Sequence, residues 1–378
     1  MEDIDLNPAS KPEPSAPDDT ELTVAPAVTP ATAREQPPIP LKLIASGATD
    51  IGLQRVHNED SVLLRPDLHL YILADGAGGH NAGNVASALA TTSIANYFEA
   101  TQSAFAGKPD IDEYGLATGA RRLAAALQRA NRDIVEIAKT SNKYRGMGTT
   151  AVVLFGSPDS GTLHVGHVGD SRCYRLRGGR LEQLTHDHSL INDVLELRPD
   201  IDNAKIATLP RHVVTRALGM AESVRVSART FALARGDRYL LCSDGLTEML
   251  DDETIGIKLG EAKSPDELVG SLIEGANLCG GVDNIGVVVV CCEEVTAAET
   301  AVALLRRSRL PNRRPKMPYR VPEMRGTFGS SPEIIIVGTE SIDGDSQLHI
   351  VPADSASPSI RDAFAGLTQK RPPESTEE

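Results

Sequence analysis

The sequence predicts an α+β domain whose helices pack on the outer faces of mainly antiparallel sheets. Apolar strand-like runs outnumber helical patterns. The helices come as a pair or singly, not one per strand, which argues against a βαβ repeat. The apolar fraction of 40% supports a core, and with aromatics at 3% and no Trp, Val, Ile, Leu and Ala must fill it.

Residues 1–41 are rich in Pro, Ala and acids ("KPEPSAPDDTELTVAPAVTPATAREQPPIP") and bury too little apolar surface to offset ordering entropy, so a disordered arm is expected. The globular pattern occupies 42–295. Its strand-like runs are "HLYILAD" (69–75), "TTAVVLF" (149–155), "LHVGHVGD" (163–170), "DRYLLCSD" (237–244) and "NIGVVVVCC" (284–292), bounded by Gly, Asp and Ser. One helical pattern spans 83–99. A second spans 116–139, with Leu123, Leu127, Ile134 and Ile137 on one face. A third helix starts at Ser264, where Pro265 and Glu267 complete a capping-box signature. Residues 296–330 read as a basic, Pro-rich linker. Residues 331–378 read as a tail in which "EIIIVG" and "LHIVP" flank an "IDGDS" turn, the pattern of a hairpin.

The formal net charge of -14 argues against nonspecific binding to nucleic acid or an anionic membrane. Five Cys with no Cys-x-x-Cys pair support neither a disulfide framework nor a zinc site; Cys291 and Cys292, adjacent on a strand, should point to opposite faces as small core residues. No apolar run reaches the roughly 20 residues of a membrane span, and "MEDIDLNPAS" has no signal-peptide character. A soluble cytoplasmic protein is expected.

Four acids share one context. Asp75 closes "YILA" and precedes Gly76; Asp170 closes "LHVGHVG"; Asp244 closes "YLLCS" and precedes Gly245; Asp283 opens "NIGVVVV". Glu59 and Asp60 sit in "QRVHNEDS" before another apolar run. Acids at strand ends meet at the rim of a sheet. Gathered there, they repel unless a cation lies among them. An all-oxygen set without paired His or Cys suits Mg²⁺ or Mn²⁺ better than zinc.

Eight segments in order, "QRVHNEDS" (54–61), "ADGAGGH" (74–80), "GTTAVV" (148–153), "GHVGDSRCY" (166–174), "LTHDHS" (184–189), "VTRALG" (214–219), "CSDGL" (242–246) and "DNIGVVVV" (283–290), resemble the metal-dependent protein phosphatases, the protein phosphatase 2C family, in its bacterial form. The resemblance covers about 42–292. It implies a central antiparallel β-sandwich flanked by pairs of helices, a four-layer α/β/β/α architecture, with a two-metal site at one end. By position, Asp75 would bridge two Mn²⁺ or Mg²⁺ ions, the Gly76 carbonyl would join one of them, and Asp244 and Asp283 would ligate the other. Glu59 and Asp60 match an acidic pair that serves as ligand or supporting partner. Asp170, with Asp244, matches the holder of a third, weaker ion. Arg55 matches a phosphate-binding arginine, and about 189–212 would be a flap contacting substrate. Animal relatives carry a His, proposed as general acid, where Ala77 stands, so that role does not transfer; His80 is left to line the site or cap a helix.

A metal-activated water attacking phosphorus needs no covalent enzyme intermediate, and no Cys lies in a nucleophilic motif. A guanidinium fork suits a phosphate monoester. His57, His186 and His188 invite a metal reading, but polar loop residues near the flap explain them better. The expected function is a serine/threonine protein phosphatase opposing a kinase, acting on phosphorylated proteins. Its rivals are a small-metabolite phosphatase and a metal-binding scaffold without turnover. The basic stretch Arg306 to Arg325 and the "EIIIVG" run are candidate docking segments, the latter for a partner or for the domain itself.

Overall fold

A computed structural model describes residues 40–77, 82–112, 116–210, 213–296, 299 and, as backbone, 334–339. In chain order its strands are β1 (Leu41–Asp50), β2 (Asp60–Arg65), β3 (Leu70–Ala77), β4 (Gly148–Thr149), β5 (Ala151–Ser157), β6 (Thr162–Val168), β7 (Arg172–Arg177), β8 (Arg180–Gln183), β9 (Val226–Ala232), β10 (Arg238–Cys242), β11 (Ile285–Glu294) and β12 (Ile334–Thr339). The helices are α1 (Gly83–Phe105), α2 (Thr118–Thr140), α3 (Leu190–Leu197), α4 (Asn203–Ile206), α5 (Asp244–Thr247), α6 (Asp252–Gly260) and α7 (Pro265–Leu278). One sheet runs β1-β11-β10-β7-β8. The other runs β12-β9-β6-β5-β3-β2, with β4 paired to β3. Every pairing is antiparallel except β12 on β9, which is parallel.

Period-two alternation explains why the central strands read as unbroken apolar runs: both of their faces are covered. On β3, Tyr71 and Leu73 face the space between the sheets, where they join Val152, Leu154, Tyr239, Leu241 and Val288. Leu70, Ile72 and Ala74 face the other way, onto α1 and α2 through Ala90, Ile94, Leu123 and Leu127. Val287, Val289 and Cys291 of β11 pack on α6 and α7 through Ile255, Leu259, Leu268 and Leu272. The neighbour Cys292 lies between the sheets, so the two cysteines do point apart. Three cores thus separate four layers, α/β/β/α. Each fully buried Leu, Ile or Val contributes roughly 1.5–3 kcal/mol.

Several boundaries differ from the sequence reading. α1 runs to Phe105, and Ile137 near the end of α2 is 36% exposed, at the edge of the packed face. The run at 149–155 breaks at Thr150, whose N–H donates to the Asp75 carbonyl at 2.8 Å. β1, β7, β8, β9 and helices α3 to α6 were not anticipated. At α7 the capping box is as read: the Ser264 N–H donates to Glu267 Oε2 at 2.9 Å, and the Glu267 N–H donates to Ser264 Oγ at 3.4 Å. The "EIIIVG" run supplies β12, which extends the domain's own sheet; the "IDGDS" turn and the basic stretch lie outside the described residues.

Strand direction decides where the site sits. β10 ends at Cys242, opposite Val287 near the start of β11 and Arg172 at the start of β7. β6 ends at Val168 opposite Ala151, and β3 ends beyond Leu73, opposite Val152. The segments carrying Asp75, Asp170, Asp244 and Asp283 therefore emerge at one lip of the sandwich.

Candidate metal centre

Asp60 and Asp75 stand directly opposite each other across the β2–β3 ladder. Their carboxyls meet, and that of Asp75 also meets Asp244 at the first turn of α5. Ser243 Oγ donates to Asp60 Oδ2 at 2.7 Å, while Asp60 Oδ1 is buried with no hydrogen-bonding partner among the described residues. Ionised carboxylates only accept, so facing ones need a proton or a cation between them. Burial, reinforced by Asp244 and Asp283, pushes Asp60 up to about 7. Burial and then the charges of Asp60, Asp244 and Asp170 drive Asp75 well above the usual carboxylate range. Asp244 is raised by burial, then by Glu248 and Asp283. Asp170 is pushed up to about 7 by burial and then by Asp244.

The backbone around these acids is fixed by short polar side chains. Thr150 Oγ1 accepts from the Asp75 N–H at 3.1 Å, and Thr149 Oγ1 donates to the Asp75 carbonyl at 2.7 Å. Gly76 has no room for a side chain: a Cβ would lie 2.3 Å from the Gly83 carbonyl oxygen and 2.7 Å from that of Glu59. Asn284 ties the 51–59 loop to the start of β11 at three points. Its Oδ1 accepts from the Glu59 N–H at 2.8 Å, and its Nδ2 donates to the carbonyls of Ile51 and His57, both at 3.0 Å. Ser243, Thr149, Thr150 and Asn284 were missed in the sequence, although Ser243 and Asn284 each adjoin one of the marked acids.

Not every expected residue takes the same part. Asp75 meets both Asp60 and Asp244, and Asp170 is close enough for its charge to raise Asp75. Glu59 turns away; its carboxylate accepts from the Gly83 N–H at the start of α1, a capping role. Asp283 is turned to Arg55, whose Nη2 lies 2.5 Å from its Oδ2, and its Oδ1 accepts from the Asn284 N–H. As they stand, no three His, Cys, Asp or Glu side chains among the described residues are arranged to hold a metal ion. Asp283 is held by Arg55 instead. The donor set itself, crowded acids with an orphaned buried oxygen, fits hard divalent cations. His186 and His188 form no pair: His186 is exposed beside Glu196 at 3.2 Å, and His188 is buried. His80 lies outside the described residues. Among the described residues of the lip, Arg55, Val56, His57 and Ala77 are all exposed. A hollow of about 680 Å³ between β1 and α7, lined by Ala48, Val269 and Ile273, contains none of these acids.

Residues 54–265 match the family model described as Protein phosphatase 2C. The chain is 34% identical over 253 residues to Protein phosphatase PhpP of Streptococcus pneumoniae, covering 66% of this chain and 97% of that protein. It is 35% identical over 246 residues to the serine/threonine phosphatase stp of Listeria welshimeri, covering 64% and 93%. Among solved structures, the Mycobacterium tuberculosis serine/threonine phosphatase PstP/Ppp superposes with a TM-score of 0.57 at 34% identity, covering 67% of this chain and 99% of that one. The PstP catalytic domain in complex with two manganese ions gives a TM-score of 0.55 at 34% identity, covering 67% and 100%. The chain belongs to the protein phosphatase 2C family.

Proposed function

We propose that this chain is a metal-dependent serine/threonine protein phosphatase that removes phosphate from phosphoserine and phosphothreonine in proteins. The observation that carries the reading is that the buried Asp75 carboxyl meets both Asp60, opposite it across the β2–β3 ladder, and Asp244, a crowding of acids that a divalent cation relieves. Asp75, Asp244, Asp60 and Asp283, with the Gly76 carbonyl, would hold two Mn²⁺ or Mg²⁺ ions, and Asp170 with Asp244 a weaker third. When bound, such ions supply a water that loses its proton near neutral pH and neutralise charge on the phosphoryl group. Arg55 would bind the monoester: its side chain is 54% exposed beside Asp283, and a guanidinium can fork onto two phosphate oxygens. Asp283 keeps that guanidinium at the acids. Ser243 orients Asp60, and Thr149 and Thr150 hold the Asp75 main chain.

The exposure of Arg55, Val56 and His57 beside the acids favours a phosphorylated loop or peptide over an enclosed metabolite. Every acid the chemistry needs is present, which argues against a scaffold without turnover. We assign the activity to residues 42–295. Phosphoproteins made by a serine/threonine kinase are its substrates, and the five free cysteines fit the reducing cytoplasm. No helix of the described residues is long and apolar enough to cross a membrane. The test is phosphopeptide turnover by the full chain with Mn²⁺, then with excess chelator, alongside Asp244→Asn. Turnover lost in chelator and cut by orders of magnitude in the variant is expected. Undiminished turnover in chelator would rule the reading out.

A further inference from the structure

His188 is gripped on every side. Its Nδ1 accepts from the Gly169 N–H at 3.1 Å, while its own backbone N–H donates to the Gly169 carbonyl at 3.0 Å. With Nδ1 accepting, the ring proton sits on Nε2 and points to Ser227 Oγ at 2.9 Å. The ring stacks on His167, centroids 4.5 Å apart at 16°, and His167 Nε2 lies 2.7 Å from the His186 carbonyl. Both nitrogens and one face of the imidazole are therefore committed in a buried position.

Gly169, which His188 holds through both its ring and its backbone, immediately precedes Asp170. Gly169 has φ +106, and a Cβ there would meet Thr150 Cβ at 2.6 Å, so this turn admits only glycine. Beyond Asp170, Ser171 Oγ and Thr150 Oγ1 are 2.7 Å apart, and Thr150 Oγ1 accepts from the Asp75 N–H. His188 also stands at the root of the following segment. Its carbonyl accepts from the Thr215 N–H at 2.9 Å, Ser189 bridges Val214, and the Leu190 N–H donates to the Val213 carbonyl at 2.9 Å. His188 thus joins the two ends of the 189–214 segment through its backbone, and its imidazole ties them to the turn that carries Asp170.

We propose that His188 is a positioning residue: it locks the Gly169–Asp170 turn to the root of the 189–214 segment, so that Asp170 presents its carboxylate to a divalent cation already in place. The proposal rests on Asp170 being a ligand. Support on a metal-binding group from outside its ligands commonly matters by roughly 10–100-fold in affinity.

Isosteric replacements separate the two ring nitrogens. In His188→Asn the amide oxygen takes the place of Nδ1 and keeps the acceptor for Gly169. In His188→Gln a polar atom takes the place of Nε2, and the Gly169 N–H loses its partner. Mn²⁺ binding to the full chain, followed by electron paramagnetic resonance, should weaken at its weakest site about tenfold in His188→Gln and stay near wild type in His188→Asn. Asp170→Asn, measured alongside, must weaken the same site; if it does not, the ligand reading of Asp170 fails. If Asp170→Asn weakens binding while His188→Gln leaves it unchanged, or both His188 variants weaken it alike, the positioning role is overturned. Should His188→Gln not fold, Ser227→Ala frees the ring from its outer tether. Weaker Mn²⁺ binding with faster exchange of the Gly169 amide is expected there, and no change in either would overturn the proposal.

Discussion

Asp60→Asn removes a charge and nearly nothing else, since the amide oxygen can still accept from Ser243. In the metal-free protein Asp60 is raised from 3.8 to about 7, chiefly by burial and further by Asp244 and Asp283. The sign follows from linkage: a carboxyl whose pKa is higher folded than unfolded binds more protons in the folded state between those values. Its cost to stability is absent below pH 3.8, grows as pH rises toward 7, and is constant above. At about 1.4 kcal/mol per pH unit, the cost is on the order of a few kcal/mol by pH 8 and smaller at pH 5. Urea unfolding in excess chelator should show the variant gaining on wild type by about 2–3 kcal/mol between pH 5 and pH 8. Added Mn²⁺ should reverse the order, because only the wild type keeps the ligand. Parallel pH profiles for the two proteins in chelator would refute the idea that Asp60 is a strained, buried acid.

Gly76→Ala places a Cβ 2.3 Å from one carbonyl oxygen and 2.7 Å from another, neither at the end of a flexible side chain. It should cost about 1–3 kcal/mol by urea unfolding and weaken Mn²⁺ binding by calorimetry, since the displaced backbone carries Asp75. Asn284→Ala strips the partners of the Glu59 N–H and of the Ile51 and His57 carbonyls. A loss of about 2–4 kcal/mol is expected, with no compensation from added metal. Arg55→Ala removes a mainly exposed side chain, so stability should hold within about 1 kcal/mol. Its phosphopeptide kcat/KM should fall by about 10–100-fold, the worth of one charged hydrogen-bonded contact.

What was legible in the sequence was what repeats locally. Asp75 and Asp244 each end an apolar strand before a glycine, and such strands in a layered domain deliver their ends to a common lip. The long helices and the box at Ser264 were readable because their signals lie within one turn or one face. The pair Glu59 and Asp60 was not resolvable from type alone. Asp60 is set by its place opposite Asp75, whereas its neighbour Glu59 reaches the start of α1. Ser243, Asn284 and His188 act between segments far apart in the chain, and nothing near them in sequence marks their partners. β1 went unread because Ser46, Gly47 and Thr49 dilute its apolar pattern, although ten register pairs with β11 hold it. Helices as short as α4 and α5 leave no periodic trace.

The central claim is that acids from four strand ends hold divalent cations at one lip of the sandwich. Anomalous diffraction from crystals of the protein grown with Mn²⁺ tests it most directly. The account predicts two strong peaks within about 2–2.3 Å of carboxylate oxygens, Asp75 contributing to both and Asp244 to one. Crystals saturated with Mn²⁺ that show no peak beside either Asp75 or Asp244 would contradict it.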